Sequence, residues 1–264
     1  REGYRVVGAF NMDFYNTDPA FAGIPTGLQI TDGELITAPL STRSALAIMP
    51  DGSFTIKKNI AFSGTVAVAD SGASRSLTGV NRARTGGSPA NHFILYTDKF
   101  SDTTRSVGDG VEVVLAPAEP GTRLTLDNPI RAQVESVAET NNDPIPAGKF
   151  VLSATGANVD WVNANLAPGT LVDIRVQLDN GLNGAQHAVS GGVVLVENGA
   201  ATPEALADNV DRHPRTFVAA KAGKLYVVTF DGRQPTYSDG VTLAEGALYL
   251  QSLGMESAIN VDGG

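Results

Sequence analysis

Acidic, amide and guanidinium side chains stand at the ends of apolar runs throughout residues 213–264 of this chain. Arg215-Thr216 precedes the apolar run 217–220, Asp231-Gly232-Arg233 follows the next one, and Asn260-Val261-Asp262-Gly263-Gly264 follows a third. Loop mouths and strand ends are where a scaffold presents function. Groups of these three kinds, held together there, can handle a charged sugar substrate.

The elements that must position them read as strands. Residues 4–10 form an apolar run that leads into Asn11-Met12-Asp13-Phe14-Tyr15. Residues 28–36 read as a hairpin turning at Thr31-Asp32-Gly33, and 44–56 as a second turning at Pro50-Asp51-Gly52. Alternating runs continue at 60–68, 92–97, 110–115 and 170–178, and residues 101–192 as a whole read as strands and loops. Two helices are expected. One spans 203–210, with Thr202 as N-cap and Pro203 in its first turn. The other spans 243–253, with a Thr242-x-x-Glu245 capping box, Gly254 past its end and an apolar face of Leu243, Ala247, Leu250 and Leu253. This count predicts a β-dominated α+β fold in one domain over residues 1–264. Arg43-Ser44 before one hairpin parallels Arg215-Thr216 before another, as a duplicated half would produce.

Composition narrows the function classes. The 264 residues include 29 glycines and 14 prolines, which favours turns over helical bundles. A net charge of −9 argues against nucleic acid as a partner, because phosphate backbones need a positive surface. No apolar run is long enough to span a membrane as a helix. The absence of cysteine removes disulfides, thiolate zinc sites and cysteine nucleophiles. A chain that starts at Arg1 and stops at Gly264 reads as processed or excerpted at both ends.

The order Arg215-Thr216, Asp231-Gly232-Arg233, Ser238, Gly240, Thr242-Leu243, Glu245 and Asn260-Val261-Asp262-Gly263-Gly264 resembles the phosphodiester glycosidase family. Phe10-Asn11-Met12-Asp13-Phe14, Pro25-Thr26-Gly27, Asn81-Arg82, Leu95-Tyr96-Thr97 and Ser190-Gly191-Gly192 are similar to earlier parts of its pattern. Two departures stand out. Gly246 replaces a usual Leu, which should weaken helix packing, and the Ser-Ser-Thr expected beyond the last glycines is missing.

The resemblance implies cleavage of the bond between a sugar's anomeric carbon and a phosphodiester oxygen, in a glycan or cell-surface polymer, by a secreted or surface protein. An oxocarbenium-like transition state needs a carboxylate beside the anomeric carbon. The carboxylate candidates are Asp262, Glu245, Asp231 and Asp13. The leaving phosphate needs cationic donors, and a guanidinium fork meets two of its oxygens. Arg82, Arg215 and Arg233 are the candidates for that role, with Asn11 and Asn260 for sugar hydroxyls and Gly263 for close backbone approach to phosphate.

Each candidate has a structural alternative. Glu245 completes a capping box, Asp231-Gly232 is a turn signal, Asp262-Gly263-Gly264 is a turn after a strand, and Asp13 is a solvated carboxylate. Arg43 reads as the partner of a surface carboxylate and is left out of the site, and Trp161 as a packing residue rather than a sugar platform. His92, His187 and His213 lack metal-ligand spacing, so zinc is not expected. The oxygen-rich stretch 98–109 has donors for calcium without an EF-hand pattern; otherwise no cofactor is expected. A non-catalytic glycan-binding module and a transferase using a sugar hydroxyl in place of water remain open alternatives, as does the oligomeric state.

Overall fold

The computed structural model describes residues 9–40, 43–84 and 91–263. Two hairpins come first: β1 (Gln29–Thr31) with β2 (Glu34–Thr37), and β3 (Ser44–Ile48) with β4 (Phe54–Lys57). Next come β5 (Phe62–Val68), β6 (Ser74–Ser76), β7 (Gly79–Val80), β8 (Phe93–Thr97), β9 (Val111–Pro117), β10 (Ile130–Ala138), β11 (Phe150–Ala154), helix α1 (Ala157–Asn165) and β12 (Leu171–Leu178). After β13 (His187–Gly191) the hairpins resume with β14 (Val194–Glu197) and β15 (Ala200–Ala201). Then follow α2 (Pro203–Ala207), β16 (Arg215–Lys221), β17 (Lys224–Phe230), α3 (Leu243–Ser252) and β18 (Ser257–Val261). With 41% strand against 11% helix, the α+β, strand-dominated expectation holds.

The topology contains an internal repeat. In the first five-stranded sheet, ordered β2-β1-β13-β3-β4, two consecutive hairpins flank a strand that arrives later. The second, ordered β15-β14-β18-β16-β17, is built the same way around β18. The parallel between Arg43 and Arg215 thus marks equivalent hairpins. An eight-stranded sheet, β6-β5-β12-β10-β9-β11-β8-β7, is inserted between β4 and β13 in the first half.

Layering explains the unbroken apolar runs. Ala45 and Ala47 of β3 face the eight-stranded sheet, in the cluster with Val66, Leu95, Val113 and Ile174. Leu46, between them, faces Val218, Ile259 and Val261 of the second sheet. Phe217, Ala219 and Ala258 point the other way, onto Leu243, Ala247 and Leu250 of α3. Strands sandwiched on both faces carry no polar alternation; the outer β12 alternates cleanly, with Val172, Ile174, Val176 and Leu178 buried.

Five expectations are corrected, the first of them only in part. Of the opening strand at 4–10, residues 4–8 lie outside the described residues, and 9 and 10 are not strand. Residues 101–192 include a helix, α1, that was read as strand; its N-cap is Gly156, with no side-chain cap to announce it. Helix α2 ends at Ala207, short of 210, and Leu253 is exposed rather than part of the buried face of α3. Finally, Gly246 does not weaken the packing of α3. A Cβ there would lie 2.5 Å from Cε2 of Phe217, so the missing side chain lets the helix settle on that ring. The capping box of α3 forms as expected, Trp161 packs edge-on against Phe93 at 5.6 Å, and Thr202 caps α2.

Candidate functional site

The repeat places the C-terminal ends of both central strands, β13 and β18, on one rim. In the ladder of β16 and β18 the last registered pair is Thr216 with Val261. Arg215 and Asp262 therefore stand opposite one another one residue further out. Neighbouring antiparallel residues lie about 5 Å apart between Cα atoms, well within the reach of two side chains and one sugar phosphate. Just beyond, Gly263 is so close to the side chain of Thr216 that a Cβ would collide with its Oγ1.

Residues 11–14 cross this rim. The amide of Asp262 donates to the carbonyl of Met12 at 2.8 Å, and the Asp13 carboxylate accepts from Phe14 N, Thr26 Oγ1 and Gly27 N at 2.8, 3.0 and 2.8 Å. Gly27 in turn lies against Ser190 of β13, with no room for a side chain. Asp13 is thus fixed as an anchored negative charge. Its field acts on Arg82, whose guanidinium donates to the carbonyls of Pro25 (2.9 Å) and Ala38. Burial pushes the Arg82 pKa down to about 10, partly offset by Asp13, so the group stays charged at neutral pH. Its Nε is buried with no partner among the described residues.

Asn260 is 5% exposed. Its main chain is bonded to Val193 and Gly192, and its side-chain Oδ1 is buried with no partner among the described residues. An unsatisfied buried acceptor carries a desolvation cost and marks a place where a donor belongs.

On the side of α3, Arg215 reaches the carbonyls of Val241 (3.5 Å) and Asp211 (3.4 Å). Burial lowers its pKa, Asp208 and Asp211 oppose that, and the nearby positive charge of Arg233 adds to it. Two guanidinium groups thus lie within each other's field, with the carboxylates of Asp208 and Asp211 beside them. Arg233 is exposed at φ 55°, behind Gly232, which is pressed against Pro214. Asp231 is exposed, and its carbonyl accepts from Ser238 Oγ at 2.6 Å. Glu245 has both carboxylate oxygens engaged, one by Arg212 and the other by the Thr242 amide at 3.0 Å.

The predicted residues thus fall into two adjoining groups: Asp13, Arg82, Asn260, Asp262 and Gly263 around the rim, and Arg215, Asp231, Arg233 and Glu245 between β17 and the start of α3. Asn11 adjoins the rim group through Met12. It lies on an irregular segment, not on a strand end shared with Asp13, and its exposed side chain makes no hydrogen bond among the described residues. Arg43, read as a surface ion-pair partner, instead holds its guanidinium 4.8 Å from the centre of the Phe14 ring, with no carboxylate within 4.0 Å among the described residues. Ser44 beside it donates to the Gly192 carbonyl at 2.5 Å. Ser190 was legible through the family resemblance and Arg43 through the repeat, and the contacts each makes here were not, because their partners are distant in sequence. Among the described residues no cluster of three or more His, Cys, Asp or Glu side chains could hold a metal, and no helix is long and apolar enough to cross a membrane.

A sequence model of the phosphodiester glycosidase family matches residues 129–264. Two solved structures share the fold. One is a hypothetical protein from Synechocystis, with TM-score 0.73 and 20% identity, over 96% of this chain and 45% of that one. The other, from Burkholderia pseudomallei and named as an exported protein, has TM-score 0.71 and 26% identity, over 96% and 59%. The chain spans about half the length of these two relatives. The zebrafish N-acetylglucosamine-1-phosphodiester alpha-N-acetylglucosaminidase catalytic domain aligns at TM-score 0.27 and 16% identity, over 86% of this chain and 77% of that one. A search of curated proteins returns no match.

Proposed function

This chain belongs to the phosphodiester glycosidase family, and from that membership we propose that it hydrolyses the bond between a sugar's anomeric carbon and a phosphodiester oxygen. The observation that carries the reading is the placement of Asp262 opposite Arg215 at the open end of β18 and β16. Side chains that leave neighbouring backbone positions can reach the two ends of one scissile C–O bond, and the Arg215 guanidinium, now on the carbonyls of Val241 and Asp211, is the one that would turn to the phosphate.

Arg215 and Arg233 hold the phosphate, the first through its fork and the second from its exposed turn. Asp262 lies beside the anomeric carbon and balances the positive charge that develops as the bond breaks. The bonding electrons leave with the phosphate oxygen, which is a weak base and needs little protonation. Water supplies hydroxide to the anomeric carbon, and its proton goes to solvent or to a nearby carboxylate, Asp231 or Glu245. The products are a free sugar and a phosphomonoester. Asn260, buried beneath the rim with its Oδ1 unpaired among the described residues, supports the site from below, and Asp13 and Arg82 brace its wall. The exported name of one structural relative, at 26% identity, supports action outside the cytoplasm.

The test is a screen of defined sugar-1-phosphodiesters for release of reducing sugar and phosphomonoester. Turnover that disappears in Asp262→Asn supports the reading. Binding of the same compounds without turnover by the full-length protein would assign it as a glycan-binding module instead.

A further inference from the structure

Strand order gives the candidate site a direction. In the second sheet β18, β16 and β17 lie side by side, and Asp262, Arg215 and Phe230 stand in one row across their ends. Adjacent strands are about 4.8 Å apart, so the row runs from the carboxylate, through the first guanidinium, to the loop 231–240 that leaves Phe230. Arg233 stands at the start of that loop. With Asp262 beside the anomeric carbon and Arg215 and Arg233 on the phosphate, the loop beyond β17 lies on the side of the alcohol that leaves with the phosphate.

That loop is built to hold one aromatic ring in solvent. Pro235 follows Gln234 in a tight turn, closed by the Tyr237 amide on the Gln234 carbonyl at 2.7 Å. The Ser238 amide donates to the same carbonyl at 2.8 Å, and the Gln234 amide to the Ser238 carbonyl at 3.0 Å. Ser238 Oγ spans the loop to the Asp231 carbonyl at 2.6 Å, and the Gly240 amide donates back to that hydroxyl at 3.2 Å. At the base, Gly232 and Gly240 press on Pro214 and His213, where a Cβ would fall 2.4 and 2.3 Å from backbone atoms. From this closed loop Tyr237 projects at 74% exposure, the highest of any aromatic side chain among the described residues. Its chain neighbours Thr236, Ser238 and Asp239 are polar, so it offers a single ring face and not part of an apolar protein-binding patch. A ring fixed in advance loses little conformational freedom when a ligand stacks on it.

We infer that Tyr237 is a specificity residue that stacks on the leaving alcohol of the diester, so that the enzyme prefers alcohols bearing a ring with an apolar face. This rests on the phosphodiester glycosidase reading of Asp262, Arg215 and Arg233.

The experiment compares two diesters of one sugar 1-phosphate, the methyl and the cyclohexylmethyl. Both release an alkyl phosphate of similar basicity, so the ring is the difference between them. The parent should favour the cyclohexylmethyl diester in kcat/KM, and Tyr237→Ala should cut that preference about 10-fold, the scale of one ring-stacking contact. Tyr237→Phe keeps the ring and should keep the preference. Both variants should melt like the parent, because the side chain is exposed. A preference absent from the parent, retained in Tyr237→Ala or lost in Tyr237→Phe overturns the inference. Should neither diester be turned over, the hydrolase reading fails separately, and Tyr237 is then judged by calorimetric binding of the two product phosphates, methyl phosphate and cyclohexylmethyl phosphate. Tighter binding of the ring-bearing phosphate that disappears in Tyr237→Ala supports the stacking role. Equal binding of the two, no binding of either, or a difference that Tyr237→Ala retains overturns it.

Discussion

The amide of Asp262 donates to the carbonyl of Met12, so the end of β18 and the segment that carries Asp13 form one unit despite lying at opposite ends of the sequence. The position of Asp262 is set by this bond on one side and by the ladder to β16 on the other. Asp262→Asn keeps the shape and the main-chain bond and removes the charge. Turnover of a sugar-1-phosphodiester should fall by about 100-fold or more, the scale of losing one transition-state electrostatic partner, with an unchanged thermal melt. Full activity in this variant would sink the proposed mechanism.

Arg215→Lys preserves a positive charge but not the fork. Turnover should drop by at least about 10-fold because two-point phosphate contact is lost. Arg233→Lys, at an exposed turn, should cost less than Arg215→Lys. The reverse order, measured as kcat/KM on the same diester, would assign the principal phosphate contact to Arg233.

Glu245 separates a structural from a catalytic role. Gln at this position still completes a capping box, so Glu245→Gln should hold stability to within about 1 kcal/mol of the parent. A large loss of turnover in a variant that melts normally would place the carboxylate in the chemistry, and retained turnover would confine it to the helix end.

Gly246→Ala gains up to about 1 kcal/mol of helix propensity yet drives a methyl group into the Phe217 ring. Overpacking of this kind costs about 1–3 kcal/mol, so the variant should melt several degrees lower. Phe217→Leu in the same background should return part of the loss; strictly additive effects in the double-mutant cycle would refute the contact.

His92 lends the fold a mild acid sensitivity. Burial and the nearby charge of Arg84 lower its pKa from 6.5, and its Nε2 is buried without a partner among the described residues. The unfolded chain therefore takes up the proton first as pH falls. Stability from this group is fully present above about pH 6.5 and declines as pH drops toward the lowered folded value. Urea unfolding between pH 7.5 and 5 should show a shallower decline in His92→Gln than in the parent.

Local signals carried the parts of the fold that depend on neighbours in sequence. The hairpin at Asp32-Gly33 and the capping box at Thr242 and Glu245 form because a turn or a helix start is decided within four residues. Helix α1 escaped because Gly156 offers no capping side chain. The sign of Gly246 was misread for a different reason: its merit lies entirely in Phe217, on another element. The same limit applied at the site. The types of Asp262 and Arg215 were legible, but the stacking of Arg43 on Phe14 and the pinning of Gly27 against Ser190 come from long-range pairing that no local pattern records.

The repeat of two hairpins and a central strand has a consequence for the order of assembly. In the second half, β18 closes on a β16 only a short stretch behind it, with Val218 meeting Ile259. In the first half, Ala45 must wait for Ser190, across the whole inserted eight-stranded sheet. Sequence-distant pairings slow folding. A nascent chain would therefore emerge with its first two hairpins unable to close their sheet, while the last seventy residues can collapse almost as soon as they leave the ribosome. The rim is then completed when β18, the later of the two central strands, docks and brings Asp262 beside β16 and the carbonyl of Met12.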